Sequence, residues 1–134
     1  MAFLDWNEKF SVGIPQFDQE HKSLLFMINT LHQAIINGND QAVLPVLLEE
    51  LSFYIKNHLS NEEALMEKHQ FPQFVAHKKQ HDYFIAKINQ YQLLHKKNAL
   101  RAEQLLQILD TWFIDHICTI DQQYEAFFKD IVDK

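Results

Sequence analysis

The chain has 134 residues, of which 47% are apolar and 22% charged, so it should fold around a sizeable core. A net charge of −6 with no basic stripe argues against nucleic acid as a partner, and no apolar run is long enough to span a membrane. Two glycines and three prolines are too few for a sheet-rich fold with many turns, which predicts long helices on short loops. The single cysteine, Cys118, cannot form an internal disulfide and fits a reducing, cytoplasmic location. The opening residues lack a basic region followed by an apolar stretch, so no secretory signal is expected.

Residues 1–16 show no helical period. Gly13 and Pro15 break the segment, while Phe3, Leu4, Trp6, Phe10 and Ile14 are apolar enough to pack, predicting an ordered N-terminal arm on the domain. A first helix is predicted from Pro15–Asp18 to Asn37, with Pro15 suited to its first turn and Asp18 and Glu20 opposing the dipole. Its apolar stripe reads Phe17, His21, Leu24, Ile28, Leu31, Ile35. Asn37-Gly38-Asn39-Asp40 is a stop, a turn and a start. The second helix should run from Asp40 or Leu44 to His69, with Pro45 in its first turn or bending its beginning. Its stripe is Leu44, Leu48, Leu51, Ile55, His58, Glu62, Leu65. Phe71-Pro72 separates it from a third helix, 72–96, with stripe Phe74, His77, His81, Phe84, Ile88, Tyr91. A fourth follows from Ala99 with stripe Ala102, Leu105, Leu109, Trp112, His116, and a short C-terminal helix is expected over 122–131. Without repeats, low-complexity tracts or a boundary, residues 1–134 read as one domain. The architecture expected is an all-α, up-down-up-down antiparallel four-helix bundle, with stripes sufficient for a closed monomer.

Histidines and a carboxylate occupy stripe positions where a bundle needs hydrocarbon, at a cost of several kcal/mol unless paired or metal-bound. The spacing of four in His58/Glu62 and His77/His81 puts each pair on one helix face. In this topology His21, His58, Glu62, His77, His81 and His116 fall within roughly 10 Å of one level at one end of the bundle. Such a convergence reads as a metal site. Asp121 completes it only if the fourth helix breaks or widens, since five residues turn about 500° on a regular helix. Five imidazoles and two bridging carboxylates offer more donors than the roughly six that one ion takes, so two ions are indicated. Two octahedral ions sharing a solvent-derived bridge would keep one open position. Off the stripes, His32, Glu63 and Glu67 are expected at the surface and Cys118 as inert packing. His69 and His95 sit at helix ends.

The motifs Phe17-Asp-Gln-Glu-His21-Lys, His58-Leu-Ser-Asn-Glu62-Glu-Ala-Leu-Met66, His77-Lys-Lys-Gln-His81 and His116-Ile-Cys-Thr-Ile-Asp121-Gln-Gln-Tyr124 resemble, in order and over essentially the whole chain, those of single-domain bacterial hemerythrins. The resemblance implies a non-haem di-iron centre that binds O2 reversibly and is not an enzyme. It implies His77, His81 and His116 on one iron, His21 and His58 on the other, and Glu62 and Asp121 as bridges. O2 would be held as hydroperoxide at the iron of His21 and His58, in a pocket walled by Leu24, Leu59, Trp112, Phe113 and Ile117. The same site could instead bind NO or serve as a redox sensor. A ferritin-like di-iron oxidase would require Glu-x-x-His motifs, and the chain has none. A structural zinc bundle needs only four ligands per site.

Overall fold

Helix ends in the computed structural model, which describes residues 5–121 and 127 apart from the side chains of 118–120, fall at the breakers in the sequence. The first helix spans Pro15–Asn37, with Pro15 in its opening turn, where its missing N–H costs nothing. It stops at Gly38, whose φ of 75° closes the end through Asn39 N–H to the Ala34 carbonyl at 3.0 Å. The second helix covers residues 40–68 as an α segment Asp40–Tyr54, a π-helical turn Ile55–Leu59 and a second α segment Ser60–Lys68. Pro45 lies inside it, beyond the first turn. The end is sealed by Phe71 N–H donating to the Met66 carbonyl at 2.9 Å, with Gln70 left-handed at φ 55°. The third helix, Phe74–Lys96, begins two residues beyond the expected Pro72. The fourth runs as α over Ala102–Thr111 and then as π over Trp112–Ile120.

The first helix packs on the second and fourth, and the third also packs on the second and fourth, giving the antiparallel up-down-up-down bundle. The apolar stripes supply its core: Leu24, Ile28, Leu31, Leu44, Leu51, Phe84, Ile88, Leu105 and Leu109 are all buried. Among the described residues no helix is long and apolar enough to cross a membrane.

The N-terminal segment carries a short 3-10 turn, Glu8–Phe10. Val12 and Ile14 are buried, and Trp6 and Phe10 pack partly buried against the core. Asp18 ties this segment down by accepting from the Val12 amide at 2.8 Å and from the Ser11 hydroxyl. Phe10 in turn meets Phe113 edge-on, ring centres 5.3 Å apart. His32 departs from expectation: it is half-buried with Nδ1 inside the protein, close enough to Asp110 to act on its charge. The expected C-terminal helix over 122–131 lies outside the described residues, as do Phe3 and Leu4; the side chain of Cys118 does too.

Candidate metal centre

All seven candidate ligands, His21, His58, Glu62, His77, His81, His116 and Asp121, are at most 2% exposed. Four of them, His21, Glu62, His77 and His81, come from α-helical positions that a 3.6-residue period places on the inner face, and His58 comes from the π-helical turn Ile55–Leu59. The sixth and seventh, His116 and Asp121, are brought together by the π-helical turn. The Asp121 amide donates to the His116 carbonyl at 2.8 Å, an i→i+5 bond that widens the helix and lets residues five apart share a face. His116 Nε2 then lies 3.0 Å from Asp121 Oδ1. The expected widening between His116 and Asp121 is therefore present.

Each carboxylate divides its two oxygens between two groups of imidazoles. Glu62 turns Oε2 toward His21 and His58, at 3.4 and 3.3 Å from their Nε2 atoms, and Oε1 toward His81 at 3.3 Å. Asp121 turns Oδ2 toward His21 at 3.3 Å, and Oδ1 toward His77 at 2.8 Å and His116. Two overlapping donor sets result: Glu62, His77, His81, His116, Asp121 and His21, His58, Glu62, Asp121, with the donor atoms of each set within 4.8 Å of one another. The Nε2 atoms of His21, His58, His81 and His116 and both Asp121 oxygens are buried without a hydrogen bond. Converging lone pairs of that kind are costly unless a cation takes them. Imidazole and carboxylate without thiolate suit borderline first-row ions such as iron.

The outward nitrogens of three imidazoles are held by polar side chains on the adjacent helix. His58 Nδ1 lies 2.6 Å from Glu20, His81 Nδ1 lies 2.8 Å from Glu63, and His116 Nδ1 lies 2.9 Å from the Gln80 amide oxygen. Glu63, expected at the surface, is instead one of these partners. All three sit next in sequence to a ligand, which was the available signal: a residue one step from an inward-facing ligand points about 100° aside, toward the neighbouring helix. Aromatic rings brace two of the same imidazoles. Tyr54 stacks on His58 at 4.9 Å and 19°, and Trp112 stacks on His116 at 3.8 Å and 9°.

The charge balance of the metal-free cluster follows from this geometry. Burial opposes a proton on His21, yet the Asp121 and Glu62 carboxylates outweigh it and raise its pKa to about 9. Burial opposes one on His81 as well, and Glu62 with Glu63 raises it to about 9. Burial pulls His116 down. Against the burial penalty, His58 and the other imidazoles hold Glu62 well below the usual carboxylate range. Asp121 is likewise lowered by His116 and His21, although burial and the Glu62 charge work against it. The expected pocket walls Leu24, Leu59, Trp112, Phe113 and Ile117 are all buried in the main core, none more than 7% exposed. Leu24 lies one turn beyond His21, Leu59 next to His58, and Ile117 next to His116.

Residues 12–128 match the model of the hemerythrin HHE cation binding domain. Among similar proteins, the bacteriohemerythrin of Stenotrophomonas maltophilia is 34% identical over 92% of this chain and 80% of its own length. That of Methylococcus capsulatus is 28% identical over 92% of this chain and 95% of its own. A crystal structure of wild-type hemerythrin superposes with a TM-score of 0.84 at 27% identity, covering 93% of this chain and 97% of that one. The paired donor sets suit a di-iron centre.

Proposed function

Because the chain belongs to the hemerythrin family, we propose that it binds O2 reversibly at two iron ions held in the bundle core, as one hemerythrin-like domain spanning 1–134. The observation that carries this reading is the division of the Glu62 and Asp121 oxygens between the two histidine groups, which would let each carboxylate contribute to both donor sets. His77, His81 and His116 would hold one ion and His21 and His58 the other, which has the smaller protein donor set and hence room for a small ligand. Iron bound there would supply the electrons that reversible O2 binding takes and returns.

The remaining work belongs to the protein. Glu20, Glu63 and Gln80 fix ring orientation through Nδ1 of His58, His81 and His116. Tyr54 and Trp112 restrain two of those rings from the side. Buried Leu24, Leu59, Phe113 and Ile117 keep water and protons away, so that bound O2 leaves as O2 rather than as a reduced species. The walls Leu24, Leu59, Phe113 and Ile117 are hydrocarbon and Trp112 is an indole, so none of them offers a carboxyl or imidazole proton to a reduced oxygen species. The role extends to storage, delivery, scavenging or sensing of O2, in a monomer of cytoplasmic location.

The test is metal content together with an optical spectrum, recorded after anaerobic reduction and again in air. About two irons per chain, a colourless reduced form and a colour that disappears when O2 is removed are expected. Colour that forms once and never reverses would replace the carrier with an oxidase. Zinc, or no metal, would overturn the di-iron reading.

A further inference from the structure

Phe26, Val46 and Phe53 are 70%, 58% and 71% exposed, and all three line one open groove between the first and second helices. Single exposed apolar residues are ordinary; three in one groove mark an interaction surface. Among the described residues the groove is lined by three carboxylates, Glu20, which is held by His58, and the exposed Glu49 and Glu50, and by no lysine or arginine. An apolar centre with a rim of one sign is the pattern of a steered protein interface, and it selects a partner of opposite sign. A second copy of this chain, carrying the same acidic face and a net charge of −6, would be repelled.

The floor of the groove distinguishes what such a partner delivers. Tyr54 and His58 form it, the Tyr54 ring stacked on the imidazole and Glu20 bonded to His58 Nδ1. One imidazole therefore separates the groove from the Nε2 atom that faces Glu62 at 3.3 Å. A docked partner meets the back of a candidate ligand, a through-bond route for electrons, and not the buried walls around the gas position. The groove between the third and fourth helices also reaches a ligand, His116, but its charged lining, Lys79 and Asp115, is balanced and sets no sign for a partner.

We propose that the groove between the first and second helices is the docking face for a one-electron donor protein with a basic rim, which reduces the oxidised metal centre through His58. The proposal rests on the di-iron reading above. Each encounter oxidises the donor by one electron, and two encounters return a diferric centre to the diferrous form with no bond to carbon, nitrogen or sulfur made or broken. The encounter surface is small, as redox encounters are, so electrostatic steering dominates its rate.

Because electron transfer uses the same docking face in both directions, the test mixes the iron-loaded, reduced chain anaerobically with ferricytochrome c, a small basic redox protein, and follows the cytochrome's own optical band. The second-order rate is expected to fall about tenfold between low salt and ~0.5 M salt. It should fall about fivefold or more in Glu49→Gln/Glu50→Gln and in Phe53→Ser, and the affinity of the oxidised chain for ferricytochrome c, a pair between which no electron passes, should fall with it in titration calorimetry. Glu67→Gln/Glu103→Gln, the same change in charge away from the groove, should stay near the parent rate. These are exposed positions, and thermal melts with iron analysis confirm that each variant is folded and loaded. Groove variants that react as fast as the Glu67/Glu103 control would overturn the docking face while leaving the di-iron site standing. A folded chain that takes up no iron would remove both.

Discussion

An imidazole that binds a metal through Nε2 is aimed by the hydrogen bond on its Nδ1. In this protein the bond is made by a carboxylate for His58 and His81 and by an amide for His116, so each donor set contains one imidazole made more basic by a neighbouring negative charge. Replacing Glu20 or Glu63 with Gln keeps an acceptor but removes that charge, and should weaken iron binding about tenfold or more in a chelator competition. Unchanged affinity in both variants would show that the two carboxylates only fill space. Proton linkage gives a second expectation. In the metal-free chain His21 and His81 are raised from 6.5 to about 9, so their stabilising contribution is complete below 6.5 and is lost as pH rises through about 9. Glu62 and Asp121 are lowered, so theirs is present above the usual carboxylate range and lost on acidification. Metal must displace the histidine protons. Uptake at neutral pH should therefore release protons into a weakly buffered indicator solution, and affinity should climb toward pH 9. Binding without proton release would contradict the charge balance described here. At this scale the six candidate ligands on the apolar stripes were readable from periodicity, whereas Asp121 required an irregular helix as well. Glu20, Glu63 and Gln80 were not readable, because a polar residue on the flank of a helix has the same pattern whether it meets water or the next helix.

Between residue and bundle, the two π-helical turns differ in how visible they were. His116 and Asp121 are five apart, and only a helix that breaks or widens can bring both to one centre, so their spacing pointed to an irregularity if both belong to the site. His58 and Glu62 are four apart and meet on an ordinary helix, so nothing in their spacing announced the π turn Ile55–Leu59. The terminations were legible where glycine supplied them, as at Gly38. They were less so where the chain uses a residue that resists the geometry. Gln70 holds φ 55° at the end of the second helix while Phe71 N–H closes the turn onto Met66. A left-handed conformation costs a side-chain-bearing residue roughly 1–2 kcal/mol, partly offset by the greater chain entropy glycine would lose. Gln70→Gly should accordingly stabilise the protein by about 0.5–1 kcal/mol, or about 4 °C in Tm. Gln70 is exposed and is not one of the candidate ligands, so iron content should not change. A destabilised variant would mean that this turn is not under the strain its φ implies.

Across the whole molecule the bundle is divided along its axis into two regions with different reasons to be stable. At one end the seven candidate ligands replace hydrocarbon, and two buried carboxylates face five imidazoles with several donor atoms unbonded. At the other, Leu31, Leu44, Leu48, Ile88, Ala102 and Leu105 form an uninterrupted apolar core. Burial of hydrocarbon at about 25 cal/mol per Å2 holds the second region with or without metal. On the di-iron reading, the first would rely on the cations to compensate polar groups that would otherwise be cheaper in water. Any ligand that binds only the folded state adds stability by mass action, but here the gain should be local as well as global. Removing iron with a chelator should raise amide exchange in the segments around residues 17–24, 55–66, 77–84 and 112–117 while residues 28–35, 44–51, 85–92 and 102–109 stay protected. Hydrogen-exchange mass spectrometry resolves the two sets of peptides. An equal rise in both would mean that the metal stabilises the bundle as one cooperative unit, and that the apolar half cannot hold its own structure. Retention of full protection at the ligand end would mean that ion pairing between the carboxylates and protonated His21 and His81 substitutes for the metal. The pH dependence separates those cases, since that pairing weakens above about 9 and the apolar packing does not.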